Sequence, residues 1–285
     1  MKKIIVTGCN GQLGRAINEI YSSDNAYECI NTDVAELDIT NIEAVNAFVG
    51  EIKPYAIINC AAHTNVNGCE TDVDNAYKIN AIGPRNLSIA ATRNRAKLMH
   101  ISTDYVFDGT AENPYTEFDT PNPKAVYGIT KLAGENFVKE FAKEHFIIRT
   151  AWLYGDGKNF VKTMLGLADH HETVTVVGDQ FGSPTSASEL AKAIAYLLPT
   201  DNFGIFHGTC EGATNWADFT REIYRLAGKK TTVQTVTTQE YNQNASGVIA
   251  PRPAYSVLDN YMLRLTSDYR FADWEAAIAE YIKGL

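Results

Sequence analysis

The chain has 285 residues, which suits one large α/β unit or a domain and a half and is too long for a single small bundle. Apolar residues make up 45% and charged residues 21%, a composition that excludes an intrinsically disordered chain. Asp and Glu number 34 against 25 Lys and Arg, a net charge of −9, so the basic face that duplex binding requires is missing and no nucleic-acid partner is expected.

In chain order, residues 3–7 form a short β-rich run that ends in glycines. Its three apolar residues are too few for the core of a signal peptide. Residues 12–21 carry Leu13, Ile17, Ile20 and Tyr21 at helical spacing, and residues 27–31 read as a second strand. Thr40, with Glu43 three residues on, matches a capping box for a helix bearing Ile42, Val45, Phe48, Val49 and Ile52. Residues 55–60 are almost wholly apolar, as expected of a strand buried on both faces. A long helix is expected over 72–95, kinked at Gly83-Pro84. Further strands are expected at 98–102 and 146–149.

The second half is less regular. Helices are expected at 159–168, 186–198, 216–227 and 274–282, with strands at 174–177 and 205–207. No apolar run reaches the ~20 residues that span a bilayer, so no membrane association is expected. Cys9, Cys29, Cys60, Cys69 and Cys210 are scattered and lack CxxC spacing. They read as reduced thiols of a cytoplasmic protein, not as a disulfide frame or a zinc site. Strand and helix alternating at this pace imply an α/β fold with a doubly wound, parallel, Rossmann-type sheet. Residues 1–150 would form the dinucleotide-binding domain. Residues 151–285 would form a smaller α/β substrate-binding region, packed on the first and partly interwoven with it.

Between the first strand and first helix stands Thr7-Gly8-Cys9-Asn10-Gly11-Gln12-Leu13-Gly14. Gly8 suits a turn with φ > 0, Gly11 lets a phosphate approach bare backbone, and Gly14 lets helix and strand pack closely. Free N–H groups at Gln12 and Leu13 then face a pyrophosphate. This strand–loop–helix context points to a dinucleotide. Asp33, about 20 residues on, can accept hydrogen bonds from ribose hydroxyls and would repel a 2′-phosphate, so NADH is favoured over NADPH. Asp38 and Ile39 are candidates to flank the adenine.

Tyr127 and Lys131 stand at i and i+4, on one face of a helix. A nearby ammonium favours the phenolate form, so the phenol could exchange a proton with a carbonyl while a nicotinamide exchanges hydride. Ser102-Thr103-Asp104 ends a parallel strand, where ligands of such sheets bind.

Together, the TGxxGxxG loop, Asn59-Cys60-Ala61-Ala62, Ser102-Thr103-Asp104 and the YxxxK pair resemble the extended short-chain dehydrogenase/reductases. More narrowly, Ala61-Ala62-His63-Thr64, residues 102–109, residues 127–135, residues 149–154 and Asp179-Gln180-Phe181-Gly182-Ser183-Pro184-Thr185 are similar to the dTDP-4-dehydrorhamnose reductase family. The resemblance implies reduction of the C4 ketone of dTDP-4-dehydro-L-rhamnose by NADH or NADPH. It makes Tyr127 the proton donor to the C4 oxygen. Lys131 would hold the nicotinamide ribose and Thr103 would orient the sugar oxygen. Asp104 and Trp152 would contact the sugar, and Ala62, His63 and Thr64 would line the cofactor. Arg252, beside Pro253, is a candidate clamp for the substrate pyrophosphate, since Arg suits bidentate phosphate contacts.

Alternatives remain open at this stage. A 4-epimerase or a related 4-ketoreductase would share the loop and the pair, and so would a non-catalytic, NADP-binding regulatory subunit. A 4,6-dehydratase is disfavoured, because Tyr105 stands where its glutamate would. Some members of the resembled family dimerise through a metal held by carboxylates, one of them early in the first helix. Here that stretch reads Gly14-Arg15-Ala16-Ile17-Asn18, without an acid before Glu19, so no metal is expected, and a monomer or a metal-independent homodimer is.

Overall fold

A computed structural model describes residues 1–243 and 247–285. Its elements, in chain order, begin with β1 (Lys2–Thr7), α1 (Gln12–Tyr21), β2 (Tyr27–Thr32), α2 (Ile42–Ile52), β3 (Ala56–Asn59), α3 (Val66–Thr71), α4 (Val73–Tyr77) and α5 (Gly83–Asn94). They continue with β4 (Lys97–Thr103), α6 (Val126–Phe141), β5 (His145–Thr150), β6 (Leu153–Tyr154), α7 (Phe160–Ala168), β7 (Thr173–Val177), β8 (Phe181–Gly182) and β9 (Thr185–Ser186). The last are α8 (Ala187–Leu197), β10 (Gly204–His207), β11 (Thr214–Asn215), α9 (Trp216–Leu226), β12 (Thr232–Val236), α10 (Thr238–Gln243), α11 (Tyr261–Thr266) and α12 (Trp274–Lys283).

Six parallel strands form the main sheet in the order β10-β5-β4-β3-β1-β2. Helices cover both faces. On one side α1 and α8 pack over Ile4, Val6, Ile58, Met99 and Ile148; on the other α2, α5 and α6 pack over Ile5, Ile57, Leu98 and Ile147. The central strands therefore read as unbroken apolar runs. Each fully buried Ile contributes roughly 1.5–3 kcal/mol relative to exposure. The chain leaves β1 toward β2 and returns on the other side as β3. That reversal opens the crevice above the carboxyl ends of the strands.

The strand expected at 205–207 joins this sheet as β10, and α8 packs on α1. Part of the second half thus completes the first core. A second apolar cluster gathers α7, α9, α12 and β7 around Phe219 and Trp274. There β7 pairs in parallel with β12, a strand that the sequence did not signal because its side chains are mostly exposed.

Two local expectations are corrected. Asn41, not Thr40, caps α2: its side chain accepts from Ala44 N–H, while Thr40 donates to Asp38 at 2.8 Å. Asn and Thr are both good caps, and the Asp38–Thr40 turn takes Thr40 out of competition. The single helix expected over 72–95 is instead α4, a π-turn at Lys78–Ile82, and α5. Pro84 lacks an N–H and sits in the first turn of α5, so the wider turn before it absorbs the missing bond.

Candidate active site

A cavity of about 750 Å³ runs along the carboxyl ends of β1, β3, β4 and β5 and is lined by Thr7, Cys60, Ser102 and Thr150 among others. Gly8 there has φ +64°, and a Cβ on it would fall 2.8 Å from Ala61 N. A Cβ on Gly14 would fall 2.5 Å from Gly8 O and 2.6 Å from Cys9 Cα. The loop thus folds so tightly that only hydrogen fits at these positions. Gly11 caps α1 with no side-chain hydrogen bond, so the first N–H groups of the helix are left to the cavity. This uncapped N-terminus over a glycine cradle fits a pyrophosphate.

Asp33 follows β2 directly and is steadied by the backbone N–H groups of Val34 (2.9 Å) and Asn10 (3.4 Å). Asp38 and Ile39 also line the cavity. Ile39 is buried against Gly83, and its carbonyl accepts from Asn86 at 3.0 Å. Ala62 and Thr64 face the cavity. The His63 ring turns instead to Cys69, with Nδ1 3.2 Å from Sγ, while Asn80 pins its backbone N–H and C=O. His63 therefore shapes this wall through its backbone.

The start of α6 lies hard against the turn at Asp104–Val106. A Cβ on Gly128 would come 2.1 Å from Tyr105 O, which is why glycine follows Tyr127. This close approach brings Tyr127, Thr103 and Asp104 to one wall of the cavity. Burial pushes the Tyr127 phenol well above its ordinary range, and a hydrogen bond with Thr103 opposes that only in part. The Lys131 ammonium donates to Ile101 O at 2.6 Å, and burial lowers it to about 8. The expected acidification of Tyr127 by Lys131 does not occur: burial, Asp104 and Tyr105 all raise the phenol. Desolvation dominates, and Tyr127 is a neutral phenol at neutral pH. Asp104 is buried too, which raises it to about 6, and it accepts from Thr103 Oγ1 at 2.9 Å.

The other end of the cavity is made of side chains from distant segments. Tyr105 packs edge-on against Tyr127, with ring centroids 5.4 Å apart, and its hydroxyl lies 2.9 Å from the donating Arg252 Nη1. Residues 250–258 reach this point by lying along Gly109 and Tyr115. Trp152 has φ +49°, which is uncommon for a bulky residue and frequent at functional sites. Its indole is stacked flat on Trp216, with centroids 3.5 Å apart and planes 8° apart. A Cβ on Gly182 would fall 2.5–2.8 Å from three atoms of the Trp152 ring, so the ring is held between Gly182 and Trp216.

Sequence reasoning missed Trp216, Gln180 and Ser256, all of which line the cavity. Gln180 stood in a stretch singled out above. Trp216 carried no signal, since it follows Asn215 as an ordinary first residue of a capped helix.

A family model described as "RmlD substrate binding domain" matches residues 1–285. A curated dTDP-4-dehydrorhamnose reductase of Streptomyces griseus is 38% identical over 99% of this chain and 93% of its own. A solved dTDP-4-dehydrorhamnose reductase of Clostridium acetobutylicum ATCC 824 is 52% identical, with TM-score 0.95, over 99% of this chain and 98% of that one. The Bacillus anthracis str. Ames enzyme of that name, solved in complex with NADP, is 41% identical, with TM-score 0.94, over 100% and 99%.

Proposed function

The chain belongs to the RmlD substrate binding domain family, and from that membership we propose that it is an NAD(P)H-dependent oxidoreductase that reduces the C4 ketone of dTDP-4-dehydro-L-rhamnose to dTDP-L-rhamnose. The observation that carries this reading is the meeting of Tyr127, Thr103 and Asp104 on one wall of a cavity whose far end is the glycine cradle. When bound, the reduced nicotinamide supplies hydride to C4. Tyr127 Oη, a neutral phenol, delivers the proton to the C4 oxygen. The Thr103 hydroxyl, which donates to Asp104 in this structure, turns to donate to the same oxygen and orients it. Lys131, fixed by Ile101 O, holds the nicotinamide ribose. Gly8, Gly11, Gln12, Leu13 and Gly14 hold the pyrophosphate, Asp33 the adenosine ribose, and Asp38 and Ile39 the adenine rim. Ala62 and Thr64 complete the cofactor wall.

Asp104, ionised at neutral pH, accepts from a sugar hydroxyl. Trp152 offers apolar contact to the sugar, and Arg252 clamps the substrate pyrophosphate. The protein acts in the cytoplasm, in keeping with its five free cysteines, as a monomer or a metal-independent homodimer. Among the described residues, no helix is long and apolar enough to cross a membrane. The test is consumption of NADH or NADPH with the dTDP-keto sugar, with the product identified by mass and by its sugar configuration. Absence of turnover with either nucleotide would refute the proposal.

A further inference from the structure

Directly beneath the site lies a buried ionic cluster that the reaction above does not use. Glu135 stands one helical turn beyond Lys131 on α6 and is fully buried. Its carboxylate accepts from Ser102 Oγ at 2.6 Å, from Arg149 Nε at 2.9 Å and from Arg149 Nη2 at 2.7 Å. Arg149 is equally buried, and its guanidinium lies 5.2 Å from the Phe107 ring centroid. Ser102 precedes Thr103 at the end of β4. Arg149 ends β5 just ahead of Thr150, Ala151 and Trp152. One carboxylate therefore ties together the three elements whose ends carry the site.

Stability alone is a poor reason for such a cluster. A buried ion pair is commonly no better than apolar residues of the same shape. Here Arg149 Nη1 is also buried without a hydrogen-bond partner, which adds a desolvation cost.

We propose that Glu135 is a positioning residue of the reduction: by holding Ser102 of β4 and Arg149 of β5 to α6, it sets Thr103 opposite Tyr127. The proposal rests on the reading of the site given above.

The test is turnover of the keto sugar set beside NADPH binding followed by fluorescence titration. Ser102→Ala and Glu135→Gln should each lower kcat severalfold, with KM and NADPH affinity unchanged. Glu135→Asp, which can still accept from Ser102 and Arg149, should recover most of kcat. Because Glu135→Gln strands the Arg149 charge and can unfold the protein, Glu135→Gln/Arg149→Met is measured alongside and should lower kcat in the same way. A folded double variant or Ser102→Ala with wild-type kcat overturns the proposal, as does a loss of NADPH affinity as large as the loss of kcat. A wild type that binds NADPH and leaves the keto sugar untouched overturns the substrate reading, and the proposal with it.

Discussion

At the end of the cavity beneath the glycine loop, the wall is largely backbone: the uncapped N-terminus of α1, the strand ends at Thr7 and Cys60, and glycines with no room for a Cβ. At the other end the wall is side chains, namely Trp152, Gln180, Trp216, Arg252 and Ser256, brought from segments far apart in sequence and resting on two apolar cores. Backbone presents the same N–H groups whatever the side chains are, which suits a cofactor common to many enzymes. Side chains can change one at a time, which suits a substrate that differs between relatives. The first end should therefore be sensitive to added bulk and the second to lost side chains.

The largest effect is expected where the two ends meet. Tyr127→Phe removes the proposed proton donor and should lower kcat by on the order of 10²–10⁴, with cofactor affinity nearly intact. Single-turnover kinetics would check this, and retention of more than about a third of the turnover would remove Tyr127 from that role. At the backbone end, Gly14→Ala places a methyl 2.5 Å from Gly8 O. Overpacking of this kind costs about 1–3 kcal/mol, so NADPH should bind roughly 5- to 150-fold more weakly in a titration. An alanine variant with unchanged affinity would break the contrast between the ends.

Asp104 sharpens the comparison through stability. Its folded pKa of about 6 lies above the ordinary 3.8, so its contribution is fully present below about pH 4 and is lost as pH rises through 6. Asp104→Asn should therefore stabilise the fold at neutral pH by on the order of 2 kcal/mol and flatten the stability between pH 4 and 6, while impairing turnover. Denaturant unfolding at the two pH values reads this directly. Equal losses of stability in variant and wild type across that range would show that Asp104 is not the group responsible.

Trp152→Ala should raise KM for the keto sugar about tenfold, worth ~1.4 kcal/mol, and leave NADPH affinity unchanged. A change in cofactor affinity instead would show that the two ends are not separable. The smallest effect is expected at Asp33. If its carboxylate faces the 2′-position as proposed, Asp33→Ser should shift preference a fewfold toward NADPH, measured as the ratio of the two dissociation constants. The NADP complex of the Bacillus anthracis relative makes this comparison informative. Wild-type NADPH binding ten times tighter than NADH would remove Asp33 from the role of selector.

What could be read from the residues was what a few neighbours carry together. The strand–glycine–helix unit, the apolar strands at 55–60 and 98–102 and the pairing of Tyr127 with Lys131 all rest on contacts within one element or its loop. Their periodicity and spacing therefore survive in the linear order. The tertiary structure alone decided that β10 comes from the second half to close the sheet, that Trp216 covers Trp152, and that Arg252 reaches Tyr105 across 147 residues. It also decided the protonation of the site, against the expectation that Lys131 would acidify Tyr127. Both groups are desolvated by walls assembled from several elements, and burial is a property of the packed chain that no local pattern records.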